Sequence, residues 1–481
     1  MTSFIIAIVV LIGGYFIYGF FVERVFGIDK KLVTPAYTKT DGVDYVPLPT
    51  WTVFLIQFLN IAGLGPIFGA IMGIMFGPSA FLWIVFGTIF AGAVHDYISA
   101  MMSVRSGGAS LPEIVGAHLG KPIMNVMRGF TILLLVLVAA VFVLTPADLL
   151  STLTPSTFDR LFWIIVIFAY YILATLLPID KLIGRFYPLF GAALLFMALA
   201  LLIYLFCSGV VIPDGFSEGL FSRHPKEYPI FPMMFVSIAC GAISGFHATQ
   251  SPMMARCLKN EKLARPVFYG AMVAEGLVAL IWAAATIAFM ESYDKLAAFI
   301  HDGGTAGQVV NSIAMEWLGV AGGILALLGV IVAPITSGDT ALRSARLIAA
   351  DFIKLSQKKL WHRLLLSLPL FAIVFILMLI DFNVLWLYFA WANQTLAVFT
   401  LWAATIYLAK HRKAYVITLL PALFMTSVSV SYLLFAPRQE GGIGLDWFFS
   451  VTVGVAVAVL LLILFSRWLF LYRRSHLSPK Q

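Results

Sequence analysis

Over residues 45–94 the chain carries no charged side chain. The hydrocarbon core of a bilayer takes about 20 helical residues to cross, so this one stretch is long enough for two crossings. Similar runs recur to the C-terminal end. Across all 481 residues, 61% are hydrophobic and 11% charged, with mean hydropathy +0.98, whereas a soluble domain carries about 25% charged residues. The composition leaves no room for a soluble domain of ordinary size and predicts an all-α polytopic protein whose first partner is the lipid bilayer.

Hydropathy and turn signals predict thirteen transmembrane segments, numbered here from 0 to 12. They lie near residues 3–23, 53–76, 80–104, 122–146, 161–178, 186–211, 230–257, 266–290, 317–341, 362–380, 383–409, 414–436 and 447–471. The first 22 residues lack a basic start and a small-residue cleavage site, so they are expected to stay as a helix. All but five of the 31 Lys and Arg fall in the loops after even-numbered segments or at their adjoining ends; the five are Arg160, Arg223, Lys226, Lys295 and Arg438. Basic loops stay on the cytoplasmic side, which predicts an external N-terminus and a cytoplasmic C-terminus. The net charge of +8 follows from such loops and implies no nucleic acid partner. Cys207, Cys240 and Cys257 lack metal-ligand spacing and read as small packing residues.

Segment 1 contains Gly63, Gly65 and Pro66 within four residues. Proline suits the first turn of a helix, where its missing N–H is not needed. One half-helix is therefore expected to end near Ala62 and another to begin at Pro66. Segment 6 repeats the pattern: Gly241, Ser244 and Gly245 loosen the chain, and Ser251 followed by Pro252 reads as a cap and first helical position. Two interrupted segments in corresponding positions point to a transporter's binding site. They lie five segments apart, so segments 1–5 and 6–10 run with opposite topology, as an inverted repeat requires. Gly69 and Gly73, in contrast, read as packing positions of a small-xxx-small pattern.

Ionisable side chains at membrane depth cost at least about 2.5 kcal/mol for Asp, Lys or Arg and are functional candidates. His95 and Asp96 in segment 2, His247 at the segment 6 break, Glu275 in segment 7 and Asp339 in segment 8 meet that description. Asp339 and Arg343 are four residues apart and have the spacing of a helical ion pair, an alternative to ion coupling. Thr336 and Ser337 add hydroxyls, and Asn393 and Gln394 in segment 10 suit the capping of buried carbonyls. No nucleophile elbow, phosphate loop, HExxH or paired-Cys motif is present. The chain is expected not to be an enzyme, to hold no cofactor or metal and to draw energy from an ion gradient. A passive channel would need polar groups along one path, and here they cluster at the two breaks.

The blocks GPIFGAIMG, FAGAVHDYISAMMSVRSGGASLPEIVG, GAISGFHATQSPMMARC, SGDTALRSARLIA and WLYFAWANQTLAVFTLW, in this order across segments 1–10, resemble the carbon starvation protein A (CstA) family. The resemblance implies a prokaryotic cytoplasmic-membrane transporter of the amino acid, polyamine and organocation superfamily. Its fold would be the leucine-transporter-like five-plus-five inverted repeat with segments 1 and 6 broken. Residues 1–50 would then be an extra helix and loop, 51–212 the first repeat, 213–410 the second, and 411–481 two added helices. Members of the family are described as peptide transporters or proton-coupled pyruvate carriers, which leaves both substrate classes open. The chain is shorter than the best-known members, whose C-terminal portions are longer.

A carboxylate substrate is expected at amides beginning near Pro66 and Ser251, within a site of Asn60, Gly63, Gly65, Pro66, Phe68, Ser244, Gly245, His247, Gln250 and Ser251. Coupling to protons falls to His95, Asp96, His247 or Glu275. Sodium is the rival, held by segment 1 carbonyls with Thr336 and Ser337, and Asp339 is a further candidate for ion coupling.

Overall fold

A computed structural model describes residues 1–176, 183–213, 219–302, 304–380 and 382–477. The described chain is helical, without a β-strand. In order, the helices are α1 (Thr2–Phe26), α2 (Thr50–Ile61), α3 (Gly65–Gly73), α4 (Ser79–Arg105), α5 (Leu111–Leu119), α6 (Lys121–Leu153), α7 (Arg160–Leu176) and α8 (Ile183–Cys207). After short pieces from Ile230 to Ala242 come α9 (His247–Ala255), α10 (Gly270–Met290), α11 (Tyr293–His301), α12 (Ala306–Ala326), α13 (Val332–Ile353), α14 (Leu360–Leu377), α15 (Phe382–Lys410), α16 (Val416–Phe435) and α17 (Trp447–Leu477).

Among the described residues, 8 helices are long and apolar enough to cross a membrane, or up to 10 if each of two bent pairs forms one span. One bent pair is α2 with α3 and its continuation to Phe76, turned by 44°. Helix exists in the other predicted stretches too. Arg160–Thr175 is a shorter apolar helix, α15 occupies the place of segment 10, and segment 6 is a series of short pieces.

The second bent pair corrects the reading of segment 8. Instead of one helix at 317–341, helical structure runs from Ala306 to Ile353 and turns by 58° between Leu325 and Leu328. Its C-terminal half carries Thr336, Ser337, Asp339, Arg343 and Arg346, all buried inside the protein. A hydropathy window penalises those side chains and slides towards the apolar residues before them; packing against other helices, not lipid, is what lets the polar half exist.

Glycines set how closely the two broken segments approach. A Cβ on Gly65 would lie 2.0 Å from Cys240 Cβ, on Gly69 3.0 Å from the Ser237 carbonyl oxygen and on Gly73 2.1 Å from Ile238 Cγ1. This one face of α3, with a small residue every fourth position, rests directly on the chain before the segment 6 break. Cys240 therefore serves as a packing partner of Gly65.

The loops that charge assigned to one side meet at one end of the molecule. Arg105 binds Glu261 at 2.7 and 2.8 Å, Lys39 donates to the Gly107 carbonyl at 2.8 Å, and Asp44 accepts from Arg343 at 3.1 Å and Arg346 at 3.3 Å. At the opposite end, the N-terminal amine donates to the Ile212 carbonyl at 2.9 Å.

Candidate functional site

The two breaks lie side by side and are stitched to neighbouring helices by buried polar groups. At the first, α2 ends at Ile61 and α3 starts at Gly65, with Pro66 as its second residue. The amides of residues 63–65 and of Ile67 donate to no described acceptor; Phe68 N–H is the first to bond back, to the Leu64 carbonyl at 2.8 Å. At the second, helix ends at Ala242 and α9 begins at His247, not at Ser251. Pro252 sits inside α9. The amides of His247, Ala248 and Thr249 form tight turns onto the carbonyls of Ser244, Gly245 and Phe246, which starts the helix one turn earlier than the proline suggested.

Asn393 of α15 fixes this second break. Its Oδ1 accepts from the Phe246 amide at 2.7 Å and from the Ser244 hydroxyl at 3.0 Å, while Gln394 Nε2 reaches the Ile243 carbonyl at 3.5 Å. Gly245 permits this approach, since a Cβ there would stand 2.2 Å from the Asn393 carbonyl oxygen. The amides at the start of α9 are thus already bonded, and the open amides are those of the first break.

The four ionisable groups read separately from segments 2, 6 and 7 come together. Asp96 Oδ1 lies 2.8 Å from His95 Nδ1, Asp96 Oδ2 lies 3.1 Å from His247 Nδ1, and His247 Nε2 lies 3.6 Å from Glu275 Oε2. His247, Asp96 and Glu275 are wholly buried, and His95 nearly so. Neither Glu275 oxygen nor His95 Nε2 has a hydrogen-bond partner among the described residues. A local irregularity presents this cluster: a π-helical turn at Thr88–Gly92 precedes His95, Thr88 Oγ1 donates to the Gly241 carbonyl at 3.1 Å, and a Cβ on Gly92 would be 2.1 Å from the Ala242 carbonyl oxygen. Such turns often mark functional sites. Here it seats α4 against segment 6 at its break.

A second group of oxygens joins α13 to the first break. Ser337 Oγ donates to the Leu59 carbonyl at 3.1 Å and Thr340 Oγ1 to Asn60 Oδ1 at 3.3 Å. Thr336 instead spends its hydroxyl on Ala333 of its own helix, at 2.8 Å. Thr340, one turn beyond Ser337 on the same face, was the residue to pair with it. Gln57 was also missed: its Nε2 donates to Ser251 Oγ at 3.1 Å. A polar side chain one turn before Asn60 in an apolar segment was the available signal.

The remaining candidates lie apart. Asp339 does not pair with Arg343; its Oδ2 accepts from the Tyr170 and Tyr187 hydroxyls, while Arg343 bonds Asp44 and the Ala174 carbonyl. Helical spacing allowed the pair, but the loop carboxylate offered Arg343 an interhelical partner. Phe68 is half-buried, with its ring beside Gly307. Gln250 is buried and bonds Thr249 Oγ1 at 3.0 Å. Among the described residues, no group of three or more His, Cys, Asp or Glu is arranged to hold a metal ion.

Comparison with known proteins supplies the family. A profile described as carbon starvation protein CstA matches residues 1–158 and 147–321. An uncharacterized membrane protein of Haemophilus influenzae is 45% identical over 345 residues, covering 62% of this chain and 93% of its own. The peptide transporter CstA of Campylobacter jejuni is 29% identical over 57% of this chain and 48% of its own length, and the pyruvate/proton symporter BtsT of Escherichia coli 28% over 54% and 45%. The chain spans about half the length of these named transporters. In fold it is similar to MhsT in complex with L-phenylalanine, with TM-score 0.54, 15% identity and coverage of 86% of this chain and 97% of that one. A manganese transporter of Eremococcus coleocola gives TM-score 0.53 at 15% identity, over 91% of this chain and 99% of its own. Both have the leucine-transporter fold, and the named relatives are transporters, not enzymes. This multi-pass membrane protein belongs to the carbon starvation protein CstA family.

Proposed function

We propose that the chain imports a small carboxylate, pyruvate or a short peptide, by proton symport and alternating access. The proposal includes thirteen spans, segments 1–5 and 6–10 as inverted repeats, an external N-terminus and a cytoplasmic C-terminus. The observation that carries it is the buried chain Glu275–His247–Asp96–His95, centred on a broken segment.

With Asp96 ionised, both histidines direct an Nδ1–H at it, leaving His247 Nε2 as an acceptor towards Glu275. A proton entering on Glu275 can therefore pass to His247. Imidazolium then faces Asp96 through Nδ1–H and Glu275 through Nε2–H and brings a positive charge to the site, while the free amides of residues 63–65 and Ile67 offer donors to a carboxylate. A buried charge without a partner is costly. Proton and substrate anion cancel each other's charge, so the carrier changes its facing state with both or with neither. That mutual neutralisation is the coupling.

A sodium-coupled reading draws on the Ser337, Thr340, Asn60 and Leu59 oxygens at the first break, a hard-oxygen set. One experiment separates the readings: uptake of labelled pyruvate into sodium-free proteoliposomes under an inward proton gradient, with and without excess dipeptide. Accumulation that resists the dipeptide is the expected result for proton and pyruvate. Accumulation abolished by dipeptide moves the substrate to peptides, and uptake that needs added sodium refutes proton coupling.

A further inference from the structure

The helices outside the broken segments border a long apolar groove of about 500 Å³ between α15, α16 and α17. Trp391, Trp402, Phe465 and Trp468 line it, with Val457 on α17. Along α15 the lining runs from Trp391 to Ile406, roughly 22 Å at helical rise, which exceeds the ~15 Å of hydrocarbon in one leaflet. The groove opens to the bilayer beside α17, whose lining residue Leu464 is exposed. An occupant at this depth must be apolar.

One end of the groove is strongly basic. Ile406 is one turn before Lys410, which begins the turn containing Arg412 and Lys413; Trp468 is flanked by Arg467 and followed by Arg473 and Arg474. Neither residues 382–437 nor residues 447–477 contain an acidic side chain. Trp468 also borders an adjoining open hollow lined by Tyr472, Arg474 and Ser475. Apolar length and clustered basic groups at one mouth are what an anionic lipid requires.

We propose that this groove binds one anionic diacyl phospholipid, an acyl chain lying between α15 and α17 and the phosphate headgroup at the Arg473–Arg474 end. The site touches the transport machinery through α15. Trp391, Thr395, Val398, Trp402 and Ile406 recur at three- and four-residue spacing on the groove face, whereas Asn393, about half a turn from Trp391, holds the segment 6 break. A lipid in the groove therefore backs the helix whose other side fixes that break.

The test needs no transport, so its outcome is independent of the substrate and coupling ion. The full chain is incubated with phosphatidylglycerol or phosphatidylcholine of identical acyl chains, and retained lipid is read by native mass spectrometry. Phosphatidylglycerol should be retained over phosphatidylcholine, and R473Q/R474Q, at exposed positions, should weaken its retention by roughly tenfold or more, the weight of two basic groups near an anionic headgroup. V457W, which fills the groove, should remove both lipids. In phosphatidylglycerol nanodiscs, amides 243–249 should exchange more slowly than in phosphatidylcholine. Equal retention of the two lipids, unchanged by R473Q/R474Q, overturns the proposal. So does a lipid-free dimer that V457W dissociates, which would make a second copy the occupant.

Discussion

A histidine with one ring nitrogen facing Asp96 and the other facing Glu275 is placed to exchange a proton with either carboxylate. His247→Gln keeps a hydrogen-bonding group but removes the titratable ring, so it should reduce proton-driven uptake at least about tenfold, the equivalent of ~1.4 kcal/mol, while leaving membrane insertion intact. Near-normal accumulation by this variant in proteoliposomes would remove His247 from the coupling path. Each member of the cluster stood out in the sequence as an ionisable group in an apolar run. Their grouping did not, because His95, Asp96, His247 and Glu275 are brought together by contacts between separate segments. The Asp339–Arg343 pair failed for the related reason that spacing along one helix says nothing about the competing carboxylate of Asp44.

At the scale of elements, the breaks depend on close packing as much as on missing helical bonds. The Cβ of Gly65→Ala would collide with Cys240, and overpacking of this sort costs about 1–3 kcal/mol. Thermal unfolding in detergent should fall for G65A and recover in part for G65A/C240G. Additive losses in the double variant would show that the two positions do not act on each other. Asn393→Ala leaves the Phe246 amide without its acceptor, at about 1–3 kcal/mol; hydrogen exchange at residues 244–249 should rise locally, and unchanged protection would show that the break does not need α15. The first break was legible from Gly63, Gly65 and Pro66. The start of α9 was misplaced because Pro252 signals a first turn only where no earlier turn has formed, and the carbonyls of residues 244–246 supply one.

The whole molecule closes one end by drawing the connection before α2 under the broken segments. Thr34 Oγ1 donates to the Leu258 carbonyl at 2.6 Å, Leu48 N–H to the Cys257 carbonyl at 3.2 Å, and Asp44 sits buried against Arg343 and Arg346. Burial by itself raises the Asp44 carboxyl, but Arg346, Arg343 and Arg256 together hold it below its ordinary value of 3.8. A group with a lowered folded value stabilises above its unfolded value and loses that contribution as pH falls through the folded one. The closed end should therefore be insensitive to pH between 7 and 5 on account of Asp44 and weaken only below about 4. Asp44→Asn leaves two buried guanidiniums short of a counter-charge, a loss of about 3–5 kcal/mol, and should make a cysteine placed at Val43 more accessible to a polar thiol reagent. Unaltered labelling would mean that this ion pair does not hold the end shut.

Hydrophobic runs, loop charges and the Gly/Pro interruption of segment 1 depend on neighbours a few residues away, and for that reason the sequence alone determined a helical membrane protein with interrupted segments and candidate polar groups at membrane depth. Only the tertiary structure decided that α4, α9 and α10 share one cluster of buried ionisable side chains, that Ser337 and Thr340 turn to the first break, and that α13 extends through a polar half. Those outcomes require each buried polar group to find its partner on another helix, and which helix lies within about 3 Å is a property of packing.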